Sequence, residues 1–505
     1  MSAACLSAAG RPPLNVMALR ETLIHWIRPL VFLGRNIASL IGAVITTSMG
    51  ITLVSFWAFQ IITDARIPPY FGVIFYLILP ALFVFGLILI PLGALWRRHS
   101  LLIRKALPAV YPQIDFHDPM LRRTGYWVAC LTVLNVVIVG SASYRGVEYM
   151  GSVSFCGQTC HTVMQPEHTA YRNSPHSRVE CVSCHIGPGA SWFVRSKLSG
   201  VRQVFAVMLH TYETPIPTPV ENLRPAQETC EQCHWPQMFQ GDKLLIRTSF
   251  GDDEKNTPAT TVLLMKIGGR TWERSVGIHG RHLSDPATAN RVRYWATDRA
   301  RQVIPRISYT EDDGTVVEFN AGDTKASPEE LARPPRIMDC VDCHNRPTHT
   351  FLPAADAVDR AMSESHIDPI LPFIKKKAVE VLQMSYPDSQ SAERQISSAL
   401  DDFYRAKYPD IYQKEKRALA TSVEEVKNIY LRNVFPEMKV TWGTYANNIG
   451  HMNSPGCFRC HDGNHAGKDG RQITQDCSAC HALLAVQEQN PQILSQLQIH
   501  NGGSR

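Results

Sequence analysis

The sequence predicts a three-helix transmembrane anchor followed by a larger extramembrane region, mostly α-helical and irregular, that carries a small inserted β module. Three observations predict it. Residues 37–62, 70–96 and 125–142 are long apolar runs that contain no charged residue. Residues 143–505 are far more polar, and they hold twelve of the fourteen cysteines in six pairs, each pair followed directly by His. Between 241 and 325, five short segments alternate or are β-branched, with turn residues between them.

The three apolar runs are each about the length that spans a bilayer. A single run of this size is equally a buried core helix, but three close together, flanked by Arg clusters, argue for an anchor. Pro80 and Pro91 are expected to kink the second span. The flanks set the orientation. Arg11, Arg20, Arg28 and Arg35 precede the first span, and Arg97, Arg98, Arg104, Lys105, Arg122 and Arg123 lie between the second and third. The connection at 63–69 carries one Arg and one Asp. The positive-inside rule then puts residues 1–36 and the second connection in the cytoplasm, and three crossings put residues 143–505 outside. The N-terminus lacks the pattern of a cleaved signal peptide, so the first span is expected to direct export.

The spans hold no His and no carboxylate; His25, His99 and His117 lie outside the apolar runs. A membrane-embedded b-type haem or a proton relay therefore has no side chains to build on. The formal charge of +6 is uneven: residues 1–142 carry eleven Lys/Arg and four Asp/Glu, while 143–505 carry forty and forty-one. The basic surplus belongs to the anchor and points to no nucleic-acid partner.

Five of the cysteine pairs read Cys-x-x-Cys-His: Cys181, Cys184 and His185; Cys230, Cys233 and His234; Cys340, Cys343 and His344; Cys457, Cys460 and His461; Cys477, Cys480 and His481. Two thiols one helical turn apart can each add to a vinyl group of one porphyrin, and the next residue then sets an imidazole under the iron. Zinc ribbons and redox Cys-x-x-Cys sites do not need His after every second Cys. The sixth pair, Cys156-Gly-Gln-Thr-Cys160-His161, has one residue more between its cysteines. A sixth haem is the expectation there, with a structural disulfide as the alternative. Of the leftover cysteines, Cys5 and Cys130, the second lies in the third apolar run, where a buried thiol acting as a small hydrophobe is expected.

Haems ligated by two histidines also need distal ligands. His176, His210, His279, His282, His349, His451 and His465 are the candidates, with His168 also free and His366 and His500 weaker. His176 sits just before the second motif, His349 five residues after His344, and His451 and His465 bracket the fifth motif. His279 and His282 lie in a strand-rich stretch, and one of them is expected to serve. Met164, near His161, is a thioether candidate for the first haem; a buried Met filling space is the alternative.

The extramembrane region divides by composition. Residues 143–240 hold three motifs with little room for an apolar core. Residues 241–330 read as the strand-rich insert and 331–352 as the fourth motif. Residues 353–440 read as helical, with Lys375, Lys376 and Lys377 on a solvated face, and 441–505 hold the last two motifs.

The segment 155–184, with a first motif, a nearby Met164, an aromatic spacer, Asn173-Ser-Pro-His176 and a second motif, resembles the NapC/NirT family of membrane-anchored, quinol-oxidising multihaem cytochromes. The runs from Cys181 to Ala190, from Cys340 to His349, and Pro455-Gly-Cys457-Phe-Arg-Cys-His461 resemble its larger inner-membrane members with three spans. The resemblance covers most of 120–485. It implies haem attachment on the outer side of the membrane, in agreement with the charge rule. It implies a first haem beside the quinol site, Met164 as its ligand, and Lys197 as the basic residue near quinol. The family form Cys-x-x-Cys-His-x-Met is departed from here, since both spacings are one residue longer.

The expected function follows: six covalently bound haem c groups in a bacterial inner-membrane protein, quinol as substrate, and electrons leaving to a periplasmic cytochrome, a reductase or an outer-membrane acceptor. A terminal oxyanion reductase and a haem subunit of a larger respiratory complex are the alternatives.

Overall fold

The computed structural model of the chain describes residue 29 and residues 32–63, 73–108, 119–159, 161–187, 190–220, 224–235, 241–270, 275–283, 291–323 and 326–499. The expectations for Cys5, His25, His117, Cys160 and His500, and for the connection at 64–69, lie outside these residues, as do the side chains of His161 and Lys197. The chain forms two compact units that divide between Thr159 and Cys160.

The first unit holds three helices long and apolar enough to cross a membrane. They are α1 (Ile37–Thr63), α2 (Leu79–Ile103), entered through a π-helical turn at Ile74–Ile78, and α3 (Pro119–Gly151). Helices α1 and α2 approach closely because small residues face each other. A Cβ on Gly86 would stand 2.5 Å from Thr46 Oγ1 and 2.9 Å from the Gly42 carbonyl. Such small-residue seams let helix backbones approach where apolar burial offers no drive. Ser39 Oγ donates to the Ile90 carbonyl across the same seam at 2.7 Å. Leu53, Phe83 and Ile138 then join all three helices in one apolar contact.

Two details differ from the sequence expectation. The apolar stretch of α3 reaches Gly151, beyond 142, because nothing from Ser141 to Met150 breaks a helix; it therefore takes in Arg145 and Glu148, 3.7 Å apart and exposed. Cys130 is exposed on α3, not buried: among the described residues nothing covers that side of the helix.

The second unit is mostly helical, with small sheets. Helix α4 (His161–Arg172) follows the first motif and α5 (Ala190–Met208) the second. Strands β1 (Lys243–Phe250) and β2 (Pro258–Met265) form a hairpin, and β3 (Gly269–Arg270) and β4 (Ser275–Val276) a short ribbon. One helical turn, α6 (Gly277–His282), comes next. Strands β5 (Val292–Trp295), β6 (Arg306–Thr310) and β7 (Val316–Ala321) are antiparallel neighbours. The expected module is completed by strands from outside it. Strand β8 (Arg336–Ile337) pairs with β5, β9 (His465–Gly467) with β7, and β10 (His481–Glu488) with β2. Met265 thus stands opposite both Lys243 and His481, so the last motif is set by sheet register.

The stretch around His279 and His282, inside the strand-rich insert, is a helical turn. Gly277 makes it possible: its φ of +67° and its approach to Gly268 and the Lys266 carbonyl, within 2.6 Å of where a Cβ would sit, require glycine. The Ile278 and His279 amides donate to the Lys266 and Ile267 carbonyls, so the turn is pinned to the end of β2.

Helices α7 (Ala354–Ser363), α8 (Ile374–Leu382), α9 (Ser389–Lys407) and α10 (Lys416–Asn433) enclose the largest apolar core. The spacing of Ala392, Ile396, Leu400 and Tyr404 puts all four on one face of α9, and all are fully buried. Asp388 caps that helix by accepting from the Ser391 amide at 2.6 Å. Asn256, at the tip of the β1–β2 hairpin, enters the bundle. It donates to the Pro369 and Leu371 carbonyls and accepts from the Lys375 amide.

Lys375 departs from the expected solvated face. It is buried, with Nζ 2.5 Å from Asp359 Oδ1 and 2.7 Å from the Ala355 carbonyl. Asp359 also accepts from the Phe250 amide, so the ion pair ties β1 to the bundle. Its neighbours in the basic run are free to face solvent because a helix turns 100° per residue. Lys375→Ala leaves Asp359 buried without its cation and is expected to destabilise the bundle by roughly 3–5 kcal/mol. Amide exchange across α7–α10 of the full chain, accelerated in the variant, checks this.

Candidate haem ligation sites

Each described motif lies on a tight turn that brings its two thiols to one side. Cys181–His185, Cys340–Cys343 and Cys477–Cys480 are single helical turns, Cys457 lies in the 3₁₀ turn Gly456–Arg459, and Cys230 ends the helix Ala226–Cys230. Local capping explains two of these. Asp339 accepts from the Val341 amide while Asp342 accepts from the Asp339 amide, and Asp476 accepts from the Ser478 amide. No disulfide joins the described cysteines to one another, and Cys156 lies in the turn Phe155–Thr159. Among the described residues no three or more His, Cys, Asp and Glu side chains gather as a metal-ion cluster of the zinc-ribbon kind.

Every one of the five Cys-x-x-Cys-His histidines faces a second histidine. Ring centres are 6.2 Å apart for His185 and His349, 5.9 Å for His234 and His176, and 6.4 Å for His344 and His279. They are 5.8 Å apart for His461 and His282, and 6.3 Å for His481 and His451. Two metal–imidazole bonds of about 2 Å each, plus roughly 1 Å from nitrogen to ring centre on both sides, make about 6 Å. The five spacings fit an iron held between two imidazoles.

The hydrogen bonds fit as well. Nδ1 of His282 lies 2.8 Å from the Ile278 carbonyl, that of His461 2.7 Å from the Thr474 carbonyl, and that of His349 2.9 Å from the Glu167 carbonyl. A carbonyl can only accept, so Nδ1 carries the proton and Nε2 keeps a lone pair for a metal. Burial favours the neutral ring at His185, His282, His344 and His349, which is the ligand form.

Successive motifs adjoin one another. Cys184 lies within electrostatic reach of Cys230 and Cys233, and Cys340 hydrogen-bonds to Cys230. Cys343 lies near Cys457 and Cys460, and Cys480 near Cys457. Burial pushes the Cys343 thiol up to about 11 and the Cys460 thiol up to about 12. The order in space is thus the order in sequence from the second motif to the sixth.

Residues between the cysteines lock the fourth motif to the fifth. Asp342, buried, accepts from Tyr294 Oη at 2.6 Å, Arg336 Nε at 2.8 Å and Arg301 at 3.2 Å. Arg459 of the fifth motif donates to the Asp342 carbonyl at 2.6 Å and to the Gly456 and Arg301 carbonyls. His451, which faces His481 of the sixth motif, stacks on Phe458 at 4.2 Å, a residue that lies inside the fifth.

The other candidates stand apart. His465 is buried with Nδ1 2.8 Å from Asp462 Oδ1 and Nε2 2.8 Å from the Ile304 carbonyl. Both nitrogens are engaged, which leaves none for a metal. His210 is exposed, its ring 6.3 Å from Tyr212, and no histidine faces it among the described residues. His168 is half-buried beside Tyr171, and His366 is exposed near Glu364. Met164 is half-buried on α4, three residues after His161. Lys197 lies on α5.

His279 and His282 each face a motif histidine, His344 and His461. Their i, i+3 spacing on one helical turn was the available signal, hidden by the surrounding strands. In the first unit, Tyr76 donates to Gln60 at 2.7 Å and its ring lies 5.1 Å from Tyr149, which in turn lies 5.4 Å from Phe155. This aromatic run leads to Cys156 and drew no notice in the sequence, because its members are distant in the chain.

Residues 120–234 match the NapC/NirT cytochrome c family, N-terminal region. The cytochrome c-type protein ImcH of Geobacter sulfurreducens is 41% identical over 479 residues, which is 94% of this chain and 91% of that protein. No solved structure matches the chain.

Asp342→Ala removes the acceptor shared by Arg336 Nε, Arg301 and the Tyr294 hydroxyl. It is expected to lower stability by roughly 3 kcal/mol or more, seen as an earlier unfolding midpoint of the purified full chain.

Proposed function

The chain belongs to the NapC/NirT cytochrome c family, and from that premise we propose that it is a quinol-oxidising hexahaem cytochrome of the bacterial inner membrane. It is a membrane-anchored multihaem c-type cytochrome of electron transfer, with covalently bound haem c. The proposal comprises six haems, a haem region on the periplasmic side, quinol as donor, and a periplasmic cytochrome, reductase or outer-membrane protein as acceptor.

The observation that carries it is the set of five facing histidine pairs on motifs that adjoin in sequence order. In this reading Cys181 and Cys184, Cys230 and Cys233, Cys340 and Cys343, Cys457 and Cys460, and Cys477 and Cys480 each hold one haem. Cys156 and Cys160 hold the sixth, with His161 beneath it. When bound, the haems supply one-electron transfer. His349, His176, His279, His282 and His451 would supply the second imidazole to those five haems. Irons so held would offer no open position to a small oxyanion, which disfavours a terminal reductase.

Quinol oxidation releases two electrons and two protons for each quinol. The first motif follows directly on a membrane span, so it is where electrons enter in this reading. Tyr76, Tyr149 and Phe155 of the first unit offer aromatic faces to a quinol ring. The family resemblance separately offers Lys197, in the second unit, as the basic residue near quinol. Met164, His168 and His210 remain as candidate ligands at the first haem.

Two outcomes test the reading. The purified full chain, with six haem additions by mass, is expected to be reduced by a menaquinol analogue and protected by a quinone-site inhibitor. Absence of reduction with all six haems present rejects quinol as donor. His282→Ala is expected to open one iron and let the reduced protein take up one additional carbon monoxide per chain. No added uptake rejects the His461–His282 pair.

A further inference from the structure

We propose that Glu167 is a positioning residue that tunes the reduction potential of the haem held by His185 and His349, with Arg346 as its opposing partner. The proposal rests on the pairing of those two histidines.

The geometry is specific. His349 Nδ1 donates to the Glu167 main-chain carbonyl at 2.9 Å, and Glu167 Oε2 stands 3.2 Å from the same nitrogen. The carboxylate is only slightly exposed and is gripped by Arg346 Nη2, 2.8 Å from each oxygen. Arg346 Nε donates to the His349 carbonyl at 2.7 Å, and its guanidinium lies 4.0 Å over the Tyr445 ring and 5.1 Å from that of Phe351. Ser174 and Thr348 add a hydroxyl pair at 2.8 Å that ties the segment after α4 to the same loop. The loop is therefore held on both sides, and the carboxylate cannot swing away from the imidazole without leaving its guanidinium.

His282 and His461 meet only main-chain carbonyls through Nδ1, and Nδ1 of His176 and of His481 meets no partner. A carboxylate beside Nδ1–H draws the proton outward and makes Nε2 a stronger donor to the iron. A stronger donor, and a negative charge close by in a poorly screened site, both favour the oxidised iron. The guanidinium acts in the opposite sense. Helix α4 carries Glu167.

The test is spectroelectrochemical titration of the full chain with all six haems. Glu167→Gln keeps the main-chain carbonyl and removes only the charge, and it is expected to move one step of the titration to more positive potential. Arg346→Gln leaves the carboxylate unopposed and is expected to move the same step to more negative potential. The five other steps stay in place, and the bis-histidine low-spin spectrum is kept. Opposite signs are what a merely structural role does not produce. An unmoved step in Glu167→Gln, or shifts of the same sign in both variants, overturns the proposal. His349→Ala separates this from the pairing itself: one extra carbon monoxide bound per chain upholds the pair, and no uptake rejects the pair and the tuning together.

Discussion

The facing of two imidazoles across about 6 Å is the constraint on which the second unit depends. One ring of each pair is fixed by its motif, because it directly follows the second cysteine. The other must come from elsewhere in the chain, and the tertiary structure exists largely to deliver it. His349 reaches His185 across more than a hundred and fifty residues of sequence, and His282 reaches His461 across a similar stretch. The fold has little choice but to interleave.

That interleaving explains why the sheets recruit strands from distant segments. Strand β10 begins at His481 and joins the β1–β2 hairpin, while β9 and β8 flank the β5–β6–β7 meander. The hairpin in turn plants Asn256 in the helical bundle, and Lys375 and Asp359 close that contact. Apolar burial is concentrated in the bundle, where α9 and α10 bury continuous stripes. The motif-bearing stretches have little core of their own. They are held by polar networks such as that of Asp342, Arg336 and Arg459, and Asp342 and Arg459 lie between the motif cysteines themselves.

Much of this was legible in the sequence, for physical reasons that can be named. Length and apolarity marked the three spans, and alternation marked the strands that became β1, β2, β5, β6 and β7. The spacing of Cys and His marked the motif turns, which are local. Partner choice was not local and was not legible. Nothing in the segment holding His279 and His282 tells that Gly277 turns the chain into a helix there, since the cause is the close approach of Gly268 and Lys266. Nor does Lys375 differ by composition from Lys376 and Lys377; only the position of Asp359 and the Asn256 loop makes it an interior residue. His465 looked equal to His451, but Asp462 and the Ile304 carbonyl occupy both its nitrogens.

The most direct measurement of the central claim counts axial ligand pairs without any substitution. Near-infrared magnetic circular dichroism of the oxidised full chain distinguishes bis-histidine haems from those with methionine or an open position. The facing pairs predict five bis-histidine haems per chain. A count below five, in protein whose mass shows every haem attached, would contradict the account.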